Sequence, residues 1–278
     1  MTNTLSGWQR AAGALTLAAG VLCAPMAGAA DAAKPVRVIL VGDSTMATKS
    51  GYGDALCERF VAGTSCINLA RGGRSSGSFR AEGRWDEVQA LLRNGAPYSA
   101  TYVLIQFGHN DQPGKPGRST DLVTEFPVNM AHYAQDVKAL GGVAVLVTPL
   151  TRRSFIGPTL RNDLAPWTAS TIAVAKAEHV ALLDLNALSY AAVQKMGTAE
   201  ADTLAMAPPP AAAAAPAASV AAASAPQSDA KTEPQGAAKS AFDRTHLGAK
   251  GAALFSQMVA SELMVVTPAI APALRPLN

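Results

Sequence analysis

Five short apolar runs, at 36–41, 67–69, 102–107, 143–148 and 180–185, recur along this chain with longer segments between them. The first, VRVILV, sets the type: these runs are continuous and do not alternate apolar with polar. Successive side chains of a strand point to opposite faces, so a continuous apolar run predicts a strand buried on both sides. The segments at 52–62, 84–93, 129–140, 164–177 and 248–264 have near-helical apolar spacing. Strands alternating with helices predict an α/β chain with a parallel sheet, covered on both faces and wound by right-handed crossovers. In such folds ligands sit outside the carboxyl ends of the strands.

Composition narrows the class. With 278 residues, 49% of them hydrophobic, the chain has material for one sizeable core. A net charge of +3, scattered basic residues and 5% aromatics leave no electrostatic or stacking footprint for nucleic acid. Residues 1–30 read as a signal peptide: Arg10 ends a polar start, an Ala/Leu-rich run follows, and Ala27-Gly28-Ala29 fits small-residue cleavage. The rival is a membrane anchor, since 11–30 carries no charge. That run is weakly hydrophobic, so the reading adopted is export with cleavage, a periplasmic or secreted protein without stable membrane association, and a monomer. Leu22 before Cys23 argues against lipid attachment. Cys57 and Cys66 remain, either as a disulfide that an oxidising compartment permits or as two small buried side chains. Residues 35–265 are the expected domain. Within it, 207–241 is an Ala/Pro/Ser-rich insertion too poor in large apolar residues to offset its ordering entropy. Residues 266–278 are expected to form a loosely docked tail.

The unusual residues fall after the predicted strands. Ser44, in GDST, follows the first; Gly72-Gly73 follows the second; His109-Asn110-Asp111 follows the third. Asp243 and His246 stand three apart near the end. A serine hydroxyl needs a base to act as nucleophile, and an imidazole needs a carboxylate to fix its tautomer. Ser44 with His246 and Asp243 supplies that set, with the Ser44 and Gly73 backbone N–H groups and the Asn110 amide as oxyanion donors. Each part has a plainer reading: a helix cap for Ser44, a flexible turn for 71–78, a cap and a surface histidine for Asp243 and His246. The setting of Ser44 is not G-x-S-x-G. A zinc or manganese site from His109, Asp111, Asp243 and His246 leaves Ser44, Asn110 and the glycine loop without purpose, so no metal and no cofactor are expected. His132 and His179 lie in predicted helices and are ordinary residues.

The blocks VGDSTMA, NLARGGRSSGSF, IQFGHNDQ and DRTHLGAKGA resemble the SGNH (GDSL-type) hydrolases, and most nearly their rhamnogalacturonan acetylesterase branch. VTPLTRRSF matches that branch's fourth-strand segment. The resemblance implies a flavodoxin-like three-layer αβα sandwich, a five-stranded sheet in the order 2-1-3-4-5. It also implies Ser44 as nucleophile, Gly73 and Asn110 in the oxyanion hole, Asp243 and His246 completing the triad, and removal of acetyl groups from polysaccharides without a cofactor. Two departures are the long Ala/Pro insertion and Trp167 where a tyrosine is expected. Arg74 and His109 are candidate substrate-binding residues. Arg152 and Arg153 are candidates, with Arg74, to meet acidic pectin, although surface arginines usually just solvate a loop. Rival functions are a lipase or thioesterase of the same fold and a polysaccharide-binding protein without turnover.

Overall fold

Strands and helices alternate in the computed structural model, which describes residues 34–210 and 242–276. The strands are β1 (Val36–Gly42), β2 (Ser65–Asn68), β3 (Ala100–Gln106), β4 (Val143–Val147), β5 (Phe155–Ile156), β6 (Thr159–Leu160) and β7 (Ala181–Leu183). The helices are α1 (Gly53–Cys57), α2 (Ser76–Ala81), α3 (Arg84–Arg93), α4 (Phe126–Ala139), α5 (Ala165–Glu178), α6 (Leu185–Asp202) and α7 (Ala249–Val266). The main sheet is parallel throughout, in the order β2-β1-β3-β4-β7. With β7 as fifth strand of the main sheet, this is the expected 2-1-3-4-5 arrangement.

The two-sided burial read from the sequence is visible residue by residue. Val38 and Leu40 of β1, Tyr102 and Leu104 of β3, and Val145 and Val147 of β4 enter one apolar layer, with Leu56, Phe255, Val259 and Leu263 from α1 and α7. Their neighbours Ile39, Val41, Val103, Ile105, Ala144 and Leu146 enter the opposite layer, with Phe79, Trp85, Val88, Met130, Tyr133 and Val137 from α2, α3 and α4. A continuous apolar strand therefore feeds two cores, which is the three-layer architecture.

Several boundaries differ from expectation, each for a local reason. The run 180–185 stops at Leu183 because the Asp184 side chain accepts from Ala187 N and caps α6. Helix α6 itself and the short β5–β6 hairpin were not foreseen. Helix α2 replaces the flexible turn that 71–78 suggested as the plainer reading. Ser75 and Ser78 form a capping box there, each side chain accepting from the other's backbone N–H. The helix expected at 52–62 is only Gly53–Cys57. Its sequel turns so that Phe60 bridges Leu274. That bridge corrects the loosely docked tail: a 3-10 helix, Pro268–Ala273, buries Ile270, and Leu274 packs into the same core. Cys57 and Cys66 are joined as a disulfide, tying α1 to β2. The expected signal peptide lies outside the described residues, as do positions 211–241 of the insertion.

Candidate active site

The carboxyl end of β1 runs into a loop that doubles back tightly. Asp43 Oδ1 accepts from Thr45 N and Thr45 Oγ1, both at 2.8 Å. Gln106 Nε2 donates to Thr45 Oγ1 at 2.6 Å, and Tyr52 Oη donates to Gln106 Oε1 at 2.7 Å. This buried chain of polar groups pins the loop to β3. A Cβ on Gly51 would lie 2.2 Å from the Thr45 carbonyl oxygen, so only glycine permits the return. Ser44 rides on the loop at 8% exposure, and its carbonyl accepts from Ser50 Oγ at 2.8 Å.

The loops after β2 and β3 are built against this one. Arg71 N donates to the Gly42 carbonyl at 2.9 Å, and Gly73 sits at φ +78°, a left-handed conformation suited to glycine. Asn110 Nδ2 donates to the Arg74 carbonyl at 3.0 Å, which fixes the amide plane. Asp111 holds the two loops together. Its Oδ1 accepts from Ser76 N, Ser76 Oγ and Thr120 Oγ1, and its Oδ2 from Gly108 N. Burial pushes the Asp111 carboxyl up to about 6, against the pull of the Ser76 and Thr120 donors. Phe107 stacks on Tyr133, whose hydroxyl donates to the Ser76 carbonyl, so an aromatic floor supports both loops.

Asp243 and His246 form a compact unit. The ring Nδ1 of His246 lies 3.0 Å from Asp243 Oδ2, while Thr245 N and His246 N donate to Oδ1, each at 2.7 Å. Burial opposes ionisation of Asp243. The hydrogen bonds and charge of His246, with the Thr245 donor, outweigh it and hold the carboxyl well below the usual range. The segment is tied directly to the serine loop: Leu247 N donates to the Ser50 carbonyl at 2.9 Å, and Ser50 in turn donates to Ser44. The structure thus gathers Ser44, Gly73, Asn110, Asp243 and His246 onto one set of interlocked loops.

The other candidates are placed differently. Arg74 pairs with Glu82 at 3.0 Å and donates to the Gly72 carbonyl, so its guanidinium braces its own loop. His109 is 3% exposed, with Nδ1 3.3 Å from Asp43 Oδ2 but outside hydrogen-bond geometry. Burial keeps its imidazole neutral against the attraction of Asp43. Burial likewise pushes the Asp43 carboxyl up, but His109 and the Thr45 donors bring it below the ordinary range. Arg152 pairs with Asp163. Arg153 is wholly buried and cannot meet a polymer at the surface. Trp167 packs beside Gly108 with its Nε1 buried and unpartnered. Among the described residues, no three His, Cys, Asp or Glu side chains converge as a metal-binding group. Ser50 and the structural roles of Asp111 and Arg153 escaped the sequence reading, because each acts through contacts that no motif spells out.

Known proteins bear on this arrangement. The sequence model of the GDSL-like lipase/acylhydrolase family matches residues 40–254. Rhamnogalacturonan acetylesterase RhgT of Bacillus subtilis is 32% identical over 179 residues, which is 62% of this chain and 74% of that protein. The probable rhamnogalacturonan acetylesterase YesY of the same bacterium is 31% identical over 177 residues, 61% of this chain and 79% of that protein. Among solved structures, protein YxiM of Bacillus subtilis matches with a TM-score of 0.59 at 22% identity, over 84% of this chain and 57% of that one. An Axe2 mutant, an acetyl-xylooligosaccharide esterase from Geobacillus stearothermophilus, matches with a TM-score of 0.53 at 16% identity, over 82% of this chain and 93% of that one. At these identities the two structures bear on the fold alone. The chain belongs to the GDSL-like lipase/acylhydrolase family and is a carboxylic ester hydrolase.

Proposed function

We propose that this protein is an exported serine esterase that removes acetyl groups from polysaccharides of the rhamnogalacturonan class. The observation that carries the reading is the Asp243–His246 pair, bonded at 3.0 Å and fastened through Leu247 and Ser50 to the loop of Ser44. Ser44 Oγ attacks the ester carbonyl while His246 Nε2 takes its proton. Asp243 holds Nδ1–H and favours the imidazolium that forms. The developing oxyanion is met by the N–H groups of Ser44 and Gly73 and by the Asn110 amide. That amide has two N–H donors, and with one committed to the Arg74 carbonyl the other is held in a fixed direction. The imidazolium returns its proton to the departing sugar oxygen as the C–O bond breaks. Water, deprotonated by the same histidine, then adds to the acetyl-serine; the Ser44 Oγ–C bond breaks, Oγ takes the proton back from the imidazolium, and acetate leaves.

Two relatives named as rhamnogalacturonan acetylesterases support the acetyl group and the polymer. The Cys57–Cys66 disulfide supports an oxidising compartment and hence export. The test is acetate release from acetylated pectins and xylans, with acetyl to decanoyl p-nitrophenyl esters beside them. The expected result is preference for acetyl and loss of at least about 10⁴-fold in kcat for Ser44→Ala. Near-normal turnover by that variant overturns the mechanism. Preference for long acyl chains overturns the substrate. Pectin binding without labelling of Ser44 by an organophosphonate indicates a non-catalytic binder.

A further inference from the structure

The segment from Asp243 to His246 lies outside helix and sheet: it precedes α7 and, among the described residues, pairs with no strand. Yet each of its carbonyls has a donor, and one residue supplies all of them. Arg153 Nη2 donates to the carbonyls of Asp243, at 3.2 Å, and His246, at 2.7 Å. Arg153 Nη1 donates to the Thr245 carbonyl at 3.4 Å. The Arg153 backbone N donates to the Arg244 carbonyl at 2.8 Å. The side chain is fully buried. Burial pulls its guanidinium down to about 10, against the attraction of Asp243 and Asp202, so it stays charged at neutral pH.

We propose that Arg153 is the positioning residue of the acid–base loop: its guanidinium fork sets the path of 243–246 and so aims His246 at Ser44. The inference rests on the proposed roles of Ser44 and His246. Chemistry favours arginine here. A planar fork reaches several carbonyls at once, whereas the ammonium of a lysine is a single point on a flexible stem. Among the described residues these carbonyls have no other donor, and leaving them unpaired in a partly buried setting is costly. The fork also places a positive charge close to Asp243, opposing the negative charge that steadies the imidazolium.

Charge and geometry separate in two variants. Arg153→Met removes both; Arg153→Lys keeps the charge and loses the fork. Turnover of p-nitrophenyl acetate is measured per active site titrated with an organophosphonate, at temperatures below each variant's melting transition. Both variants are expected to lose about 30-fold or more in kcat, with KM changed less than about threefold, because aim affects the transition state more than binding. If Arg153→Met keeps wild-type kcat per titrated site, the proposal is overturned. Should Arg153→Met not fold, Arg153→Lys decides alone: wild-type kcat per site overturns the proposal, and lost kcat with KM changed less than about threefold supports it. A wild-type protein that neither turns over the ester nor takes the label defeats the esterase reading instead, and the two failures are thereby distinct.

Discussion

Asp243 shows how a single side chain can hold a site and reveal it in solution. Its carboxylate accepts from two backbone N–H groups and from the His246 ring, and burial does not overcome them. A carboxyl depressed on folding contributes stability above its unfolded value of about 3.9 and gives it up as pH falls toward the lower folded value. Asp111 works in the other direction. With a folded value near 6, it keeps a proton that the unfolded chain has lost, so its contribution weakens as pH rises from about 4 to about 6. Wild-type urea midpoints are therefore expected to fall steeply below about pH 4, and in Asp243→Asn that acid-side slope flattens. Equal slopes for the two proteins between pH 5 and pH 3 refute the assignment. Ser44, Asn110, Asp243 and His246 were legible from the sequence because each stands in a short motif after a strand or before a helix. Arg153 was legible only as one of two adjacent arginines. Nothing in its neighbours says that it turns inward while Arg152 turns toward Asp163.

Among the elements, the parallel strands were the clearest in the sequence, because burial on both faces leaves a continuous apolar signature. Helix α6 was not, and its composition explains why. LNALSYAAVQKMGTAEAD scatters its large apolar residues, and Gly197 interrupts the helical backbone at φ +72°. The short α1 was overestimated because the apolar residues after it belong to a turn that meets the far end of the chain. That element depends on a covalent tie. The Cys57–Cys66 disulfide closes a loop with a sequence separation of 9 between α1 and β2. Replacing both cysteines with serine is expected to cost about 2–3 kcal/mol. Chemical denaturation of the variant, and of the wild type with and without reductant, reads this out. A reductant-insensitive midpoint contradicts it.

For the whole molecule, the order β2-β1-β3-β4-β7 brings the loops after β1, β2 and β3 to one edge, and the loop of Asp243 and His246 joins them through Ser50. The topology was readable because alternating strands and helices admit few windings; the docking of the last residues was not, because PAIAPALRP carries no periodicity. Removing 268–276 uncovers the side of the core where Ile270 and Leu274 pack. Burial of those two side chains alone is worth about 3–5 kcal/mol. The shortened chain is expected to lose a comparable amount in urea denaturation while keeping its kcat per folded molecule. Unchanged stability contradicts the docking.

The same docking has a use at the bench. Arg275 N donates to the Arg59 carbonyl, just before β2 begins, and Lys34 precedes β1, so both flanks of the sheet domain leave from the amino edge. The serine loop opens from the opposite edge. A tether grafted at either flank holds the protein by its back, and an immobilised sample presents its serine loop outward.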